Sequence, residues 1–155
     1  MRSSWMMKRS LQVAAVMTIF AGVGAVRAAD PDPKVMAFKL PAQIKWVENE
    51  NGGAQSVLFG DPAKPGLYGI LVKWHAGHMS RPHFHPNDRF IYVLKGTWWV
   101  GWGPKYDPNS TVAMPEGSFV THYGKQIHYD GAKGEDTILE IVGEGPATNT
   151  PAEQK

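Results

Sequence analysis

Glycine and proline interrupt this chain so often beyond residue 30 that no long helix fits between them. Seventeen glycines and twelve prolines punctuate 155 residues, and each breaks or ends a helix at a cost that short apolar runs cannot recover. What remains between them is a series of four- to nine-residue apolar runs bounded by turn residues. The runs at 43–47, 55–59, 66–74, 90–94, 97–102, 111–114, 118–123 and 137–142 read as strands. Asn51-Gly52-Gly53, Gly60-Asp61-Pro62, Lys95-Gly96, Gly103-Pro104 and Pro115-Glu116-Gly117 read as turns between them. Strands of that length at that spacing predict an all-β sandwich or barrel. Neither an internal repeat nor a linker divides them, so one domain is expected.

The first 28 residues stand apart. Arg2, Lys8 and Arg9 give a positive start, an apolar run follows over 11–26, and Val26-Arg27-Ala28 offers small residues at cleavage spacing. That is the pattern of a secretion signal peptide. The run is shorter than the roughly 20 apolar residues that cross a bilayer and contains Gly22 and Gly24. The expectation is therefore export to the periplasm or cell exterior after cleavage near Ala28, with no stable membrane anchor. Residues 29–42 are expected as an extended arm, 43–145 as the barrel and 146–155 as a flexible tail.

Cleavage would change the charge. Arg2, Lys8, Arg9 and Arg27 leave with the leader, so twelve basic residues remain against fourteen acidic ones, a net charge near −2. No basic stripe remains, which excludes a nucleic-acid partner. The chain has no cysteine. In an oxidising compartment it must stand on its core without disulfides, and any metal site must be built from histidine and carboxylate.

All six histidines lie between His75 and His128. On a strand, residues two apart share a face, so His83 and His85 can point together while Phe84 points away. Two imidazoles on one buried face need partners for their nitrogens, and a divalent transition ion supplies them. Alone, a His-x-His pair is a weak signal. His122 lies on a predicted strand before the turn leading to His128. It is expected inward, as a fourth ligand or an acid/base group beside the metal, with an exposed strand histidine as the bland alternative. His75 and His78 flank a turn and are expected at the surface. Adjacent Trp98 and Trp99 must face opposite ways, and an outward tryptophan hints at a second copy packed against the sheet.

The surroundings of the pair resemble the cupin superfamily. That family's first motif reads Gly, five residues, His-x-His, three or four residues, Glu, six residues, Gly. This chain supplies Gly77, His83-Phe84-His85, Arg89 and Gly96 at those spacings, with Arg89 where the family has Glu. The second motif begins at Gly117 and reaches His128. Tyr123 stands for its Pro, Lys125 for its Gly and Ala132 for its Asn. The resemblance spans about 66–143 and is strongest to the subgroup near the anti-sigma-factor cupins.

The resemblance implies a cupin jelly-roll β-barrel. It implies a metal inside the barrel, held by His83, His85 and His128, with the usual carboxylate ligand missing. The ion would be Fe(II), Mn(II), Ni(II) or Zn(II). Some three-histidine cupins are dioxygenases acting on enolisable substrates, so a metal-dependent oxidoreductase is the first reading. A lyase or isomerase using the metal as a Lewis acid, and a binding module without turnover, are its rivals. No further cofactor is expected. Arg89, if inward, makes the site electropositive and selects a small anionic ligand; if turned outward, it pairs with Asp88 or another surface carboxylate. Arg89 and His122 are the candidate catalytic residues, and a homodimer is the expected assembly.

Overall fold

The larger sheet is built around the strict alternation of the central apolar runs. In 89–95 Ile91 and Val93 are buried while Phe90, Tyr92 and Leu94 are exposed, and in 137–145 Thr137, Leu139 and Ile141 are buried. A computed structural model describes residues 30–155. The expected leader lies outside the described residues. Residues 30–37 belong to a separate unit, exposed throughout, with a turn in which Asp32 accepts from the backbone of Val35 and Met36.

The second unit, 38–155, carries eleven strands: β1 (Val47–Asn49), β2 (Gly53–Phe59), β3 (Gly66–Trp74), β4 (His83–Phe84), β5 (Arg89–Lys95), β6 (Thr97–Trp102), β7 (Val112–Pro115), β8 (Phe119–His122), β9 (His128–Ala132), β10 (Thr137–Gly145) and β11 (Thr150–Pro151). They form two antiparallel sheets, one ordered β1-β2-β3-β10-β5-β8 and the other β11-β4-β9-β6-β7. Tyr68, Ile70, Ile91, Val93, Leu139 and Ile141 of the first pack against Trp98 and Val100 of the second in one core. This is the jelly-roll arrangement expected from the sequence, with no α-helix among the described residues. No helix there is long and apolar enough to cross a membrane.

Four details differ from the sequence reading. The strand expected at 43–47 begins only at Val47, because Pro41 opens a 3-10 turn over Pro41–Gln43 and the Gln43 side chain accepts from the Leu40 amide at 2.7 Å. The pairing of β4 ends at Phe84, so His85 lies just beyond it. Strand β9 was not foreseen. Its sequence, His-Tyr-Asp-Gly-Ala, is polar on the inward face, yet all five residues are buried in the middle of the second sheet.

The fourth difference is the segment 146–155, expected as a flexible tail. It carries β11, which pairs with β4, and the amides of Ala152 and Gln154 donate to the carbonyls of Pro82 (2.9 Å) and Pro104 (2.8 Å). Without those bonds the edge of β4 would present unpaired backbone.

Trp98 is fully buried, whereas Trp99 faces outward beneath the Lys133 ammonium, 3.9 Å from its ring centre. The outer face of the six-stranded sheet leaves Phe59, Leu67, Phe90, Tyr92 and Phe119 exposed.

Candidate metal centre

Strands β4 and β9 pair through a single position, His83 opposite His128. Their rings therefore meet, 4.5 Å apart between centroids, and His85 closes the group at 4.9 Å from His83 and 5.3 Å from His128. One nitrogen of each lies within 4.8 Å of the others, and all three residues are buried. The structure thus brings together the three histidines that the sequence singled out.

The backbone decides which nitrogens point inward. The Nδ1 of His83 lies 2.8 Å from the Arg81 carbonyl, that of His85 2.9 Å from Thr148 and that of His128 3.0 Å from Gln126. A carbonyl only accepts, so each Nδ1 carries the proton and each Nε2 keeps its lone pair. The Nε2 atoms of His85 and His128 are buried with no partner among the described residues. Orphaned acceptors of this kind are costly, and a divalent cation satisfies both. The donor set of three neutral imidazoles fits Zn, Fe, Ni or Cu and leaves coordination positions open. Protonation is disfavoured as well. Burial, then the Arg89 charge, pushes His85 down to about 3. Burial outweighs the pull of Asp130 and holds His128 at about 4.

The turn after β8 braces the ligand loop. Lys125 adopts φ 63°, the left-handed conformation for which the second motif uses glycine, and its amide donates to the His85 carbonyl at 2.7 Å. The neighbouring Gly124 amide donates to Asp88 Oδ1 at 2.7 Å. Asp88 is thus engaged with the turn.

Arg89 opens β5 on the same face as buried Ile91 and Val93, and it lines the cavity beside His83 and His85. The inward alternative holds and the surface pairing does not. Its Nε is buried without a partner, and the guanidinium forms no ion pair among the described residues. His122 sits opposite Arg89 across β5–β8. It is inward and buried, with its ring 3.8 Å from His128 and 5.2 Å from Trp98 between centroids. Both its nitrogens lack partners, and burial, then the His128 charge, pushes it down to about 2. It lies outside the trio whose nitrogens converge. His75 is a surface residue as expected, between Glu48 at 3.0 Å and Asp136 at 3.4 Å. His78 is exposed too.

Asp130 was missed. It is buried two residues after His128, on the same face of β9, and lines the cavity, and Ser80 Oγ donates to its Oδ1 at 2.7 Å. The alternation His128-x-Asp130 was the available signal, hidden because β9 itself was not recognised. The cavity, about 350 Å3, has Ile70, Val72 and Ile141 on its apolar wall and Asp130 as the sole carboxylate lining it.

Comparison with known proteins agrees with this geometry. The family model of the ChrR cupin-like domain matches residues 35–148. Solved structures of similar fold include KdgF from Halomonas sp., at TM-score 0.57 and 19% identity, covering 70% of this chain and 94% of that one. The polyketide cyclase RemF from Streptomyces resistomycificus aligns at TM-score 0.63 and 16% identity over 77% and 87% of the two chains. The DMSP lyase DddQ from Ruegeria pomeroyi aligns at 0.57 and 17% over 73% and 64%. At these identities the likeness is one of fold. No curated protein sequence matches the chain. The matched span and the three-histidine barrel together place this chain in the family of ChrR cupin-like domains.

Proposed function

We propose that this chain is an exported, metal-dependent enzyme acting on a small anionic, enolisable compound. The observation that carries the reading is the convergence of three histidine nitrogens within 4.8 Å of one another, beside a cavity that His83, His85 and an unpaired arginine line. A bound divalent ion there supplies Lewis acidity and open coordination positions for a substrate oxygen. Arg89 holds the anionic group of the substrate in a guanidinium fork. Asp130, fixed by Ser80, stands in the same cavity as an acceptor for a proton leaving the substrate. Ile70, Val72 and Ile141 keep water from that side.

Oxidative cleavage by a dioxygenase is the first reaction to test. A lyase, isomerase or cyclase reaction without oxygen is favoured by Asp130, since a buried carboxylate in the cavity suits proton transfer. The fold is shared with a polyketide cyclase and a DMSP lyase. Oxygen uptake during turnover separates the two.

Metal analysis of the untagged protein beside His83→Ala and His128→Ala tests the core of the proposal. Stoichiometric metal in the wild type and its loss in both variants are expected. A wild type that takes up no metal under any supplementation overturns the reading, and saturable ligand binding without turnover reduces it to a binding module. The apolar outer sheet face supports a homodimer, which sedimentation at equilibrium tests.

A further inference from the structure

Four strands of the larger sheet contribute one residue each to a single inward row. Tyr68 on β3 pairs with Gly143 on β10, Gly143 with Arg89 on β5, and Arg89 with His122 on β8. Directly opposed residues on neighbouring strands share a face. Three side chains of this row end in polar atoms that nothing satisfies among the described residues: Tyr68 Oη, Arg89 Nε and both nitrogens of His122. Tyr68 is fully buried, so its hydroxyl has no water to turn to. Gly143 makes the arrangement possible. A Cβ there would sit 2.9 Å from Tyr68 Oη and 3.1 Å from its Cζ, so the absent side chain leaves the phenol room beside β10, in the direction of Arg89.

A guanidinium with no ion-pair partner and a buried Nε, and a buried hydroxyl with no acceptor in the same inward row, are each unfavourable alone. One anion satisfies both. The guanidinium fork matches a carboxylate in two parallel hydrogen bonds, and the phenol adds a third donor. Asp130 already places one negative charge in the same cavity, which works against a dianion such as phosphate. The adjoining wall is aliphatic, formed by Ile70, Val72 and Ile141.

We propose that Arg89 and Tyr68 form a carboxylate-binding subsite that holds the acid end of a small aliphatic monocarboxylate. This subsite adjoins the three-histidine centre, with Arg89 lining the cavity beside His83 and His85, and holds the carboxylate without needing the metal. The inference deepens the functional reading above and rests on it for the anionic character of the ligand.

The test uses butyrate as probe on the full chain, metal-loaded and metal-stripped, followed by amide chemical shifts and by the thermal midpoint. Butyramide and inorganic phosphate are the comparators. Butyrate is expected to bind saturably in the millimolar range with or without metal, and neither comparator to match it. Arg89→Gln is expected to weaken butyrate by about tenfold or more and to abolish its effect on the midpoint. Tyr68→Phe removes one oxygen from a packed ring and is expected to weaken it by about threefold to tenfold, which keeps the test open if Arg89→Gln does not fold. Binding that survives unchanged in a folded Arg89→Gln or in Tyr68→Phe, or butyramide binding as tightly as butyrate, overturns the subsite. So does the absence of saturable binding up to roughly 100 mM. Butyrate that binds only when metal is present also overturns it, yet leaves the metal-dependent reading standing. A wild type without metal whose butyrate binding still follows Arg89 does the reverse.

Discussion

Deleting residues 148–155 is expected to weaken zinc binding by about 10- to 100-fold while the barrel stays folded. The reason is the carbonyl of Thr148, which accepts from His85 Nδ1 at 2.9 Å and so fixes the tautomer and the aim of one of the three ligands. The segment carrying it is held by the β11–β4 pairing, by the amides of Ala152 and Gln154, and by a two-point contact of Arg81 with Glu153. Arg81 in turn supplies the carbonyl that orients His83, so the latch joins the supports of two ligands. The backbone bonds contribute about 1 kcal/mol each. The Arg81–Glu153 pair is solvent-exposed and adds little. Losing the segment should therefore lower stability by roughly 2–4 kcal/mol, and zinc affinity by about 1.4–2.8 kcal/mol. Stopping after Ala147 keeps that residue against the core and keeps its bond to Pro62. Competition against a chromophoric chelator, well below both thermal midpoints, reads the affinity. Glu153→Ala is the control, since it loosens the latch but leaves Thr148, and it should stay within about threefold. A folded truncation that holds zinc as tightly as the full chain refutes the reasoning.

Two further outcomes follow from the same site. In metal-free protein the thermal midpoint should fall as pH drops below about 6.5, because unfolded histidines take up protons there. In the folded state His128 waits until about 4, His85 until about 3 and His122 until about 2. Each contributes about 1.4 kcal/mol per pH unit across its window, and a midpoint flat from pH 7 to 5 contradicts the burial argument. Lys125→Gly should raise stability by about 0.5–1 kcal/mol in urea titration, since glycine adopts φ 63° without the penalty of a Cβ. A loss would mean that the lysine side chain matters more than its backbone conformation.

Where side chains carry the pattern, the sequence was legible. The alternation of Phe90-Ile91-Tyr92-Val93-Leu94 announced β5, and motif spacing alone brought His128 to His83 and His85. The orientation of Arg89 was open because one residue at a strand's start can face either way. The structure decides it through the register with Ile91 and His122. Strand β9 was illegible because its inward residues, His128 and Asp130, are polar, which reverses the usual sign of the alternation. Tyr68 carries no signal of its own within the run 66–74, and only the pairing across Gly143 puts it in one row with a cation. The supports of the ligands lie further out of reach. Arg81, Gln126 and Thr148 act through backbone carbonyls, which every residue has and no side chain announces.

The position of β10 bears on how the molecule comes into being. It is the last long strand in the chain, yet it lies between β3 and β5 and joins the two halves of the larger sheet. Until residue 145 has left the ribosome, β3 and β5 have no partner on those edges, and the row that joins Tyr68 to Arg89 does not exist. Closure must wait for contacts between residues far apart in sequence, and such contacts form slowly. A nascent chain of this topology stays open until synthesis is nearly complete, which is compatible with the export proposed above.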